Sequence, residues 1–116
     1  MQINMEIEMN DKISHNNEIV GEIEYQYIPK STILYIDEIA IYGKNKRKGF
    51  GERKLWNLFS TYPNLRYIVG ISTNNAIPFW KKIGSKLGEV KENSDCFFTL
   101  EKHSLFVYLR RKYENG

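Results

Sequence analysis

Residues 44–59 read KNKRKGFGERKLWNLF. The first ten positions hold five cations and two glycines, Gly49 and Gly51. The rest turns amphipathic: Leu55, Trp56, Leu58 and Phe59 fall at helical spacing until Pro63-Asn64 ends the run. A basic loop that opens a helix gathers unpaired backbone N–H groups, a favourable dipole and mobile positive charge around one point. Gly49 and Gly51 lack a Cβ, so the main chain can approach an anion closely and take up positive φ. The ligand such a loop suits is a phosphate or pyrophosphate. A P-loop is excluded, because no Gly-x-x-x-x-Gly-Lys-Ser/Thr string occurs. A dinucleotide fingerprint is excluded as well, because Lys54 stands where its third glycine belongs.

Upstream of this loop the chain reads as strands. Residues 2–9, QINMEIEM, alternate polar and apolar, with Ile3, Met5, Ile7 and Met9 on one face. Polar DKISHNN reads as a turn, and IVGEIEYQYI alternates again, with Ile19, Ile23, Tyr25 and Tyr27 opposite Glu22, Glu24 and Gln26. After Pro29-Lys30-Ser31, residues 32–42 read as a third, more buried strand, and short connections make the three an antiparallel meander. Downstream, LRYIVGIS at 65–72 reads as a strand buried on both faces. AIPFWKKIG at 76–84 reads as a brief helix, with Pro78 in its first turn and Gly84 closing it. Segments near 86–91, 96–101 and 104–111 read as further strands. The order is βββ-α-β-α-ββ(β), an α+β class with a mixed, mostly antiparallel sheet and two helices. The strand–helix–strand crossover makes 32–42 and 65–72 a parallel pair.

The bulk numbers set bounds. The 116 residues suit a single domain, 1–116, with one core. No run approaches the ~20 apolar residues of a membrane span, and MQINMEIEMN is no signal peptide. The single cysteine, Cys96, cannot form an internal disulfide or a metal cluster. It reads as a small core residue of a cytoplasmic protein with no metal. The net charge of +3 hides an asymmetry: residues 1–40 hold two cations against eight carboxylates, and the remainder fifteen against six. That division suits an anionic ligand on one side and a cationic one on the other.

Lys46-Arg47-Lys48-Gly49-Phe50-Gly51 resembles the phosphate loop Arg/Gln-x-x-Gly-x-Gly/Ala of the GNAT superfamily of acetyl-CoA-dependent N-acetyltransferases. A second GNAT signature, a helix start of the type Asn-x-x-Ala-x-x-Phe-Tyr-x-Lys-x-Gly, has its counterpart in residues 74–84. The two motifs stand in the family's order, with one helix and one strand between them. The resemblance covers about residues 18–100 and implies a GNAT-like sheet and coenzyme A as cofactor. It implies that the amides from Arg47 to Glu52, Phe50 among them, cradle the pyrophosphate, with Lys46, Arg47 and Lys48 adding charge. Ile39, Ala40 and Ile41 would offer backbone groups to the pantetheine arm and to the charge that develops on the acyl oxygen. Asn74 and Phe79 would line the opposite wall.

An amine acceptor is protonated at neutral pH and needs a proton acceptor before it attacks a thioester. Asp37 and Glu38 are the candidates; strand alternation sends them to opposite faces, and Glu38 is preferred. Trp80 departs from the tyrosine that many relatives use to protonate the departing thiolate, since an indole N–H is no acid. Tyr42, Tyr35 or water would substitute. His15 and His103 read as surface residues. Only about 30 residues precede the third strand, where relatives carry a strand and two helices, so the acceptor side is expected to be open. An open acidic groove suits a protein lysine or N-terminus, and a second copy in a homodimer could supply the missing wall. The rival readings are a catalytically silent acyl-CoA-binding module and a small basic nucleic-acid-binding domain using KNKRK and the C-terminal RRK.

Overall fold

The computed structural model describes residues 6–114. Strand β1 (Ile7–His15) and strand β2 (Glu18–Tyr27) form a hairpin that turns on Asn16 and Asn17. Both asparagines have positive φ, 51° and 65°, the twisted two-residue turn that asparagine tolerates. DKISHNN is therefore mostly strand rather than turn. Lys12 and Ser14 continue the exposed face, while Asp11 and Ile13 continue the inward one behind Ile7 and Met9. The part of the expected first strand at residues 2–5 lies outside the described residues. Val20 has no partner in the ladder, which passes from Ile13↔Gly21 to Ser14↔Ile19. This bulge sends Val20 into the core and turns Ile19 out, against the simple alternation.

Strand β3 (Ile33–Ile41) follows, then a short turn at Gly43–Asn45 and helix α1 (Phe50–Thr61). Strand β4 (Tyr67–Ser72), helix α2 (Ile77–Lys82), the two-residue β5 (Lys86–Leu87), β6 (Cys96–Glu101) and helix α3 (Lys102–Glu114) complete the chain. The sheet order is β1-β2-β3-β4-β6-β5, antiparallel throughout except for the expected parallel β3–β4 pair. The fold is α+β as read from the sequence, with a third helix in place of the last strand. Residues 104–111 alternate too weakly to be a strand. Leu105, Tyr108 and Leu109 share one helical face and pack on the core. Strand β6 also already has β4 on one edge and β5 on the other. Of the 86–91 segment only two residues pair.

Inward residues run in rows across the sheet, such as Tyr25–Ile36–Gly70–Phe98 and Leu34–Ile68–Leu100. The apolar side chains of these rows join one core cluster with Leu55, Leu58 and Phe59 of α1, Trp80 of α2 and Leu105 of α3. All three helices thus lie on one face of the sheet. On the other face Ile33, Tyr67, Ile71 and Phe97 are exposed. Cys96 is buried, as expected of a core residue.

Candidate active site

The parallel pair is joined along only part of its length. Ile33–Ile36 pair with Tyr67–Gly70, and there the ladder stops, although β3 runs on to Ile41 and β4 to Ser72. A second bulge marks the same point. Tyr25 pairs with Ile36 and Glu24 with Glu38, leaving Asp37 as the extra residue on β3. Unbroken alternation would send Glu38 inward after Ile36. The bulge instead leaves Asp37 and Glu38 both exposed, which corrects the expectation that they face opposite ways.

Beyond the bulge β3 stays bound to β2. The Tyr42 amide donates to the Val20 carbonyl at 2.8 Å, and the Ala40 carbonyl lies against Gly21, where a Cβ would collide with it. Backbone groups of successive strand residues point to opposite edges. The amides and carbonyls of Ile39 and Ile41 therefore face the split between β3 and β4, and those of Ala40 face β2.

The basic loop closes this split from one end. Arg47 and Gly49 both take positive φ, 65° and 83°. Gly49 caps α1 without a side-chain hydrogen bond. The Arg53 amide is the first of the helix to reach a carbonyl, that of Gly49 at 3.1 Å. Among the described residues the amides of Lys48 to Glu52 donate to no carbonyl, which is the unsatisfied helix start on which an anion can settle. Lys46, Arg47 and Lys48 are exposed around it. A Cβ on Gly51 would lie 3.5 Å from Phe79 Cζ and 3.8 Å from Ile41 Cγ1. The loop, the end of β3 and α2 thus meet at one point, as the two motifs together imply. Phe50 is buried, its ring 4.7 Å from that of His15.

One partner of this loop, Lys112, escapes a reading of the two motifs. Glu52, 3% exposed, is ion-paired with Lys112 of α3. A Cβ on Gly49 would lie 3.2 Å from Glu52 Oε1 and 3.4 Å from Lys112 Nζ, so the C-terminal helix delivers an ammonium to the loop. The Glu52 hydrogen bond holds the Lys112 pKa above the ordinary lysine value. Burial, and then the Glu52 carboxylate, raise that of Tyr108 beside it. The sequence signal was the RRK near the C-terminus, at helical spacing from Leu105 and Tyr108.

The remaining candidates divide. Asp37 is engaged, with Gln26 Nε2 donating to both its carboxylate oxygens at 2.9 and 3.0 Å. Glu38, across from Glu24, has no hydrogen-bond partner among the described residues. Tyr42 lies beside the Lys12–Glu22 ion pair, where Lys12 and then the tyrosine hydroxyl hold Glu22 below the ordinary carboxylate range. Asn74 is exposed, and its side-chain amide donates to the Ser94 carbonyl at 3.3 Å. Trp80 is buried and stacked on Phe98, ring centroids 3.7 Å apart. It is a packing residue.

Several solved structures share this architecture. The chain is similar to an acetyltransferase from Bacillus cereus ATCC 14579, with a TM-score of 0.67 and 21% identity over 83% of this chain and 74% of that one. It is similar to a GNAT family acetyltransferase from Elizabethkingia anophelis with acetyl-CoA bound, with a TM-score of 0.61 and 19% identity over 81% and 76%. It is also similar to the PaiA N-acetyltransferase of Thermoplasma acidophilum in complex with coenzyme A, with a TM-score of 0.66 and 12% identity over 81% and 60%. No family model and no curated protein matches the sequence. The split parallel pair, the glycine loop and the neighbours of known structure together establish that this chain has the fold of the GNAT acetyltransferases.

Proposed function

We propose that the protein transfers an acetyl group from acetyl-CoA to a primary amine, a lysine side chain or N-terminus of another protein. The observation that carries this reading is the meeting of Gly51, Phe79 and Ile41 at the end of the β3–β4 split. Gly51 sits inside a regular helix turn and needs no special φ, and a methyl group there would make only ordinary contacts. Its bareness keeps the approach open instead. The residues present therefore fit a diphosphate on the loop and a slender arm running into the split.

Acetyl-CoA supplies the acyl group already activated as a thioester. The chain's own residues bind and orient. The amides from Lys48 to Glu52 hold the diphosphate, and the exposed cations of the loop screen its charge. The Ile39 amide, turned into the split, donates to the acyl oxygen as charge develops there. Glu38, exposed at the edge of the split and without a hydrogen-bond partner among the described residues, takes the proton that the ammonium of the acceptor must lose. The amine nitrogen bonds to the acyl carbon, the carbon–sulfur bond breaks, and the second proton that the nitrogen sheds in becoming an amide passes to water. With Trp80 packed on Phe98 and Tyr42 beside Glu22, the sulfur leaves as thiolate, tolerable for a thiol of pKa ~8.5.

The test is a melting curve with coenzyme A and with acetyl-CoA. Ligand at ~100 times its dissociation constant stabilises by about 2.7 kcal/mol, and Gly49→Glu, Gly51→Glu together abolish the gain. A flat response of the unaltered protein overturns the reading. The buried Trp80 favours one second reading, an acyl-CoA-binding module without turnover. It predicts the same thermal gain with no amine-dependent release of free thiol.

A further inference from the structure

The face of the sheet that bears no helix is divided in two. On β1, β2 and β3 it carries Glu8, Glu22, Glu24, Asp37 and Glu38, and Lys12, tied to Glu22 at 2.9 Å, is the cation in their midst. On β3, β4 and β6 it carries Ile33, Tyr67, Ile71 and Phe97, 48%, 37%, 58% and 50% exposed, with Tyr35 and Val69 between. Exposed aliphatic and aromatic side chains this close together mark a contact surface. The β3–β4 split opens onto it past the last paired rung, between Asp37 and Glu38 on one side and Ile71 on the other.

Charge decides what can cover it. Nucleic acid and anionic lipid are repelled by the carboxylates. A second copy of this chain fits poorly. Two-fold pairing over the whole face lays carboxylates on carboxylates or on apolar side chains, and pairing through the apolar half alone leaves the acidic half uncovered. What remains is a partner that is apolar on one side and cationic on the other. An amphipathic helix about 10–12 Å across spans two to three strands at a spacing of about 4.8 Å, enough to touch both halves.

We propose that this open face docks a basic amphipathic segment of a partner protein. The segment's apolar side chains lie on Ile33, Tyr67, Ile71 and Phe97, and its lysines or arginines over Glu22, Glu24 and Glu38. That the docked protein is also the acceptor rests on the acetyl-transfer reading, because the split then meets a lysine of the bound segment.

The probe is a labelled helical peptide of leucine and lysine, about 14 residues and roughly 20 Å long, followed by fluorescence anisotropy. A scrambled peptide of the same composition and a version with glutamate for lysine serve as controls. The amphipathic basic peptide binds the unaltered protein, and the controls bind weakly. Ile71→Lys with Phe97→Lys, and separately Glu22→Lys with Glu24→Lys, each weaken it by about tenfold or more. Both double variants keep a single cooperative melting transition near that of the unaltered protein, which shows that they fold. Equal binding by the variants, or by the scrambled peptide, overturns the proposal. So does a sedimenting dimer of the unaltered protein that the Ile71, Phe97 variant dissolves, since a second copy then owns the face. Peptide binding without any coenzyme A response keeps the docking surface and removes the transferase reading; the converse removes the docking surface alone.

Discussion

The two ends of β3 make a useful contrast. In its first half Leu34 and Ile36 are buried and the strand is laddered on both edges, to β2 and to β4. In its second half it keeps β2 but parts from β4, and Ile39, Ala40 and Ile41 are only half-buried. The change occurs at two consecutive carboxylates. A strand with one face in the core cannot hold Asp37 and Glu38 in strict alternation without sending one of them inward, at a cost of several kcal/mol for an unpaired charge. The bulge sends both outward and turns the strand away from its neighbour. One local conflict thus yields the opening in which we propose that the chemistry takes place.

The contrast breaks or sharpens first through the core. Ile68, fully buried on β4 and in register with Leu34, belongs to the joined half. Ile68→Ala costs about 2–5 kcal/mol, read as a lowered urea midpoint at constant slope. Ile39→Ala, in the open half, costs at most about 1.5 kcal/mol by the same logic of fewer lost contacts. Equal losses from the two variants would erase the distinction between the halves.

Gly70 gives the next effect. A Cβ there would stand 2.8 Å from the Ile36 carbonyl oxygen and 2.9 Å from Phe98 Cε1. The oxygen is backbone and the ring is held under Trp80, so neither neighbour gives way easily. Gly70→Ala destabilises by roughly 1–3 kcal/mol. Because it strains the last joined rung, it also lowers the coenzyme A melting gain. An unchanged melting temperature would show that the joined half is looser than its packing implies.

How much of this was legible in the sequence follows from the range of each signal. The glycine loop, the parallel pair and α1 were legible, because their patterns are local and long. The hairpin boundary was not. Asp11 and Lys12 look like turn residues, and only the pairing with Ile23 and Glu22 makes them strand. Helix α3 was missed because Leu105 to Leu109 is a short continuous apolar run, which periodicity alone cannot assign to helix or strand, and tertiary packing decides. The bulge at Asp37 follows from counting which side chains the core accepts, and that needs β2 in place. Lys112 lies 60 residues from Glu52, too far for any local pattern to link them.

Gly51 tests the reverse proposition, that the open half keeps a position bare which the fold would fill. The alanine contacts would be ordinary, 3.5 Å or more. Alanine in place of a helical glycine then gains about 0.5–1 kcal/mol. Gly51→Ala is expected to melt higher than the unaltered protein and to respond less to coenzyme A. A higher melting temperature with an undiminished ligand response would show that the space beside Phe79 is not used.

The smallest effect lies at the loop itself and is read through pH. Lys112 has its pKa raised above the ordinary 10.5, first by its hydrogen bond to Glu52. A folded value above the unfolded one means that the pair contributes fully below about 10.5 and that the contribution fades as pH rises through the folded value. Lys112 is 38% exposed, so screening keeps this pH-dependent part under about 1 kcal/mol, separate from the cost of leaving the buried Glu52 carboxylate unpaired. Lys112→Met should therefore flatten the alkaline decline in stability that the unaltered protein shows. The same variant matters more for the ligand than for the fold. Without the ammonium, Glu52 leaves a buried carboxylate uncompensated within 3.2 Å of where a Gly49 side chain would begin, and that charge opposes an incoming diphosphate. The coenzyme A melting gain should shrink at neutral pH and recover in Glu52→Gln with Lys112→Met. A gain that survives in the single variant would show that the anion sits on the far side of the loop, nearer Lys46 and Lys48.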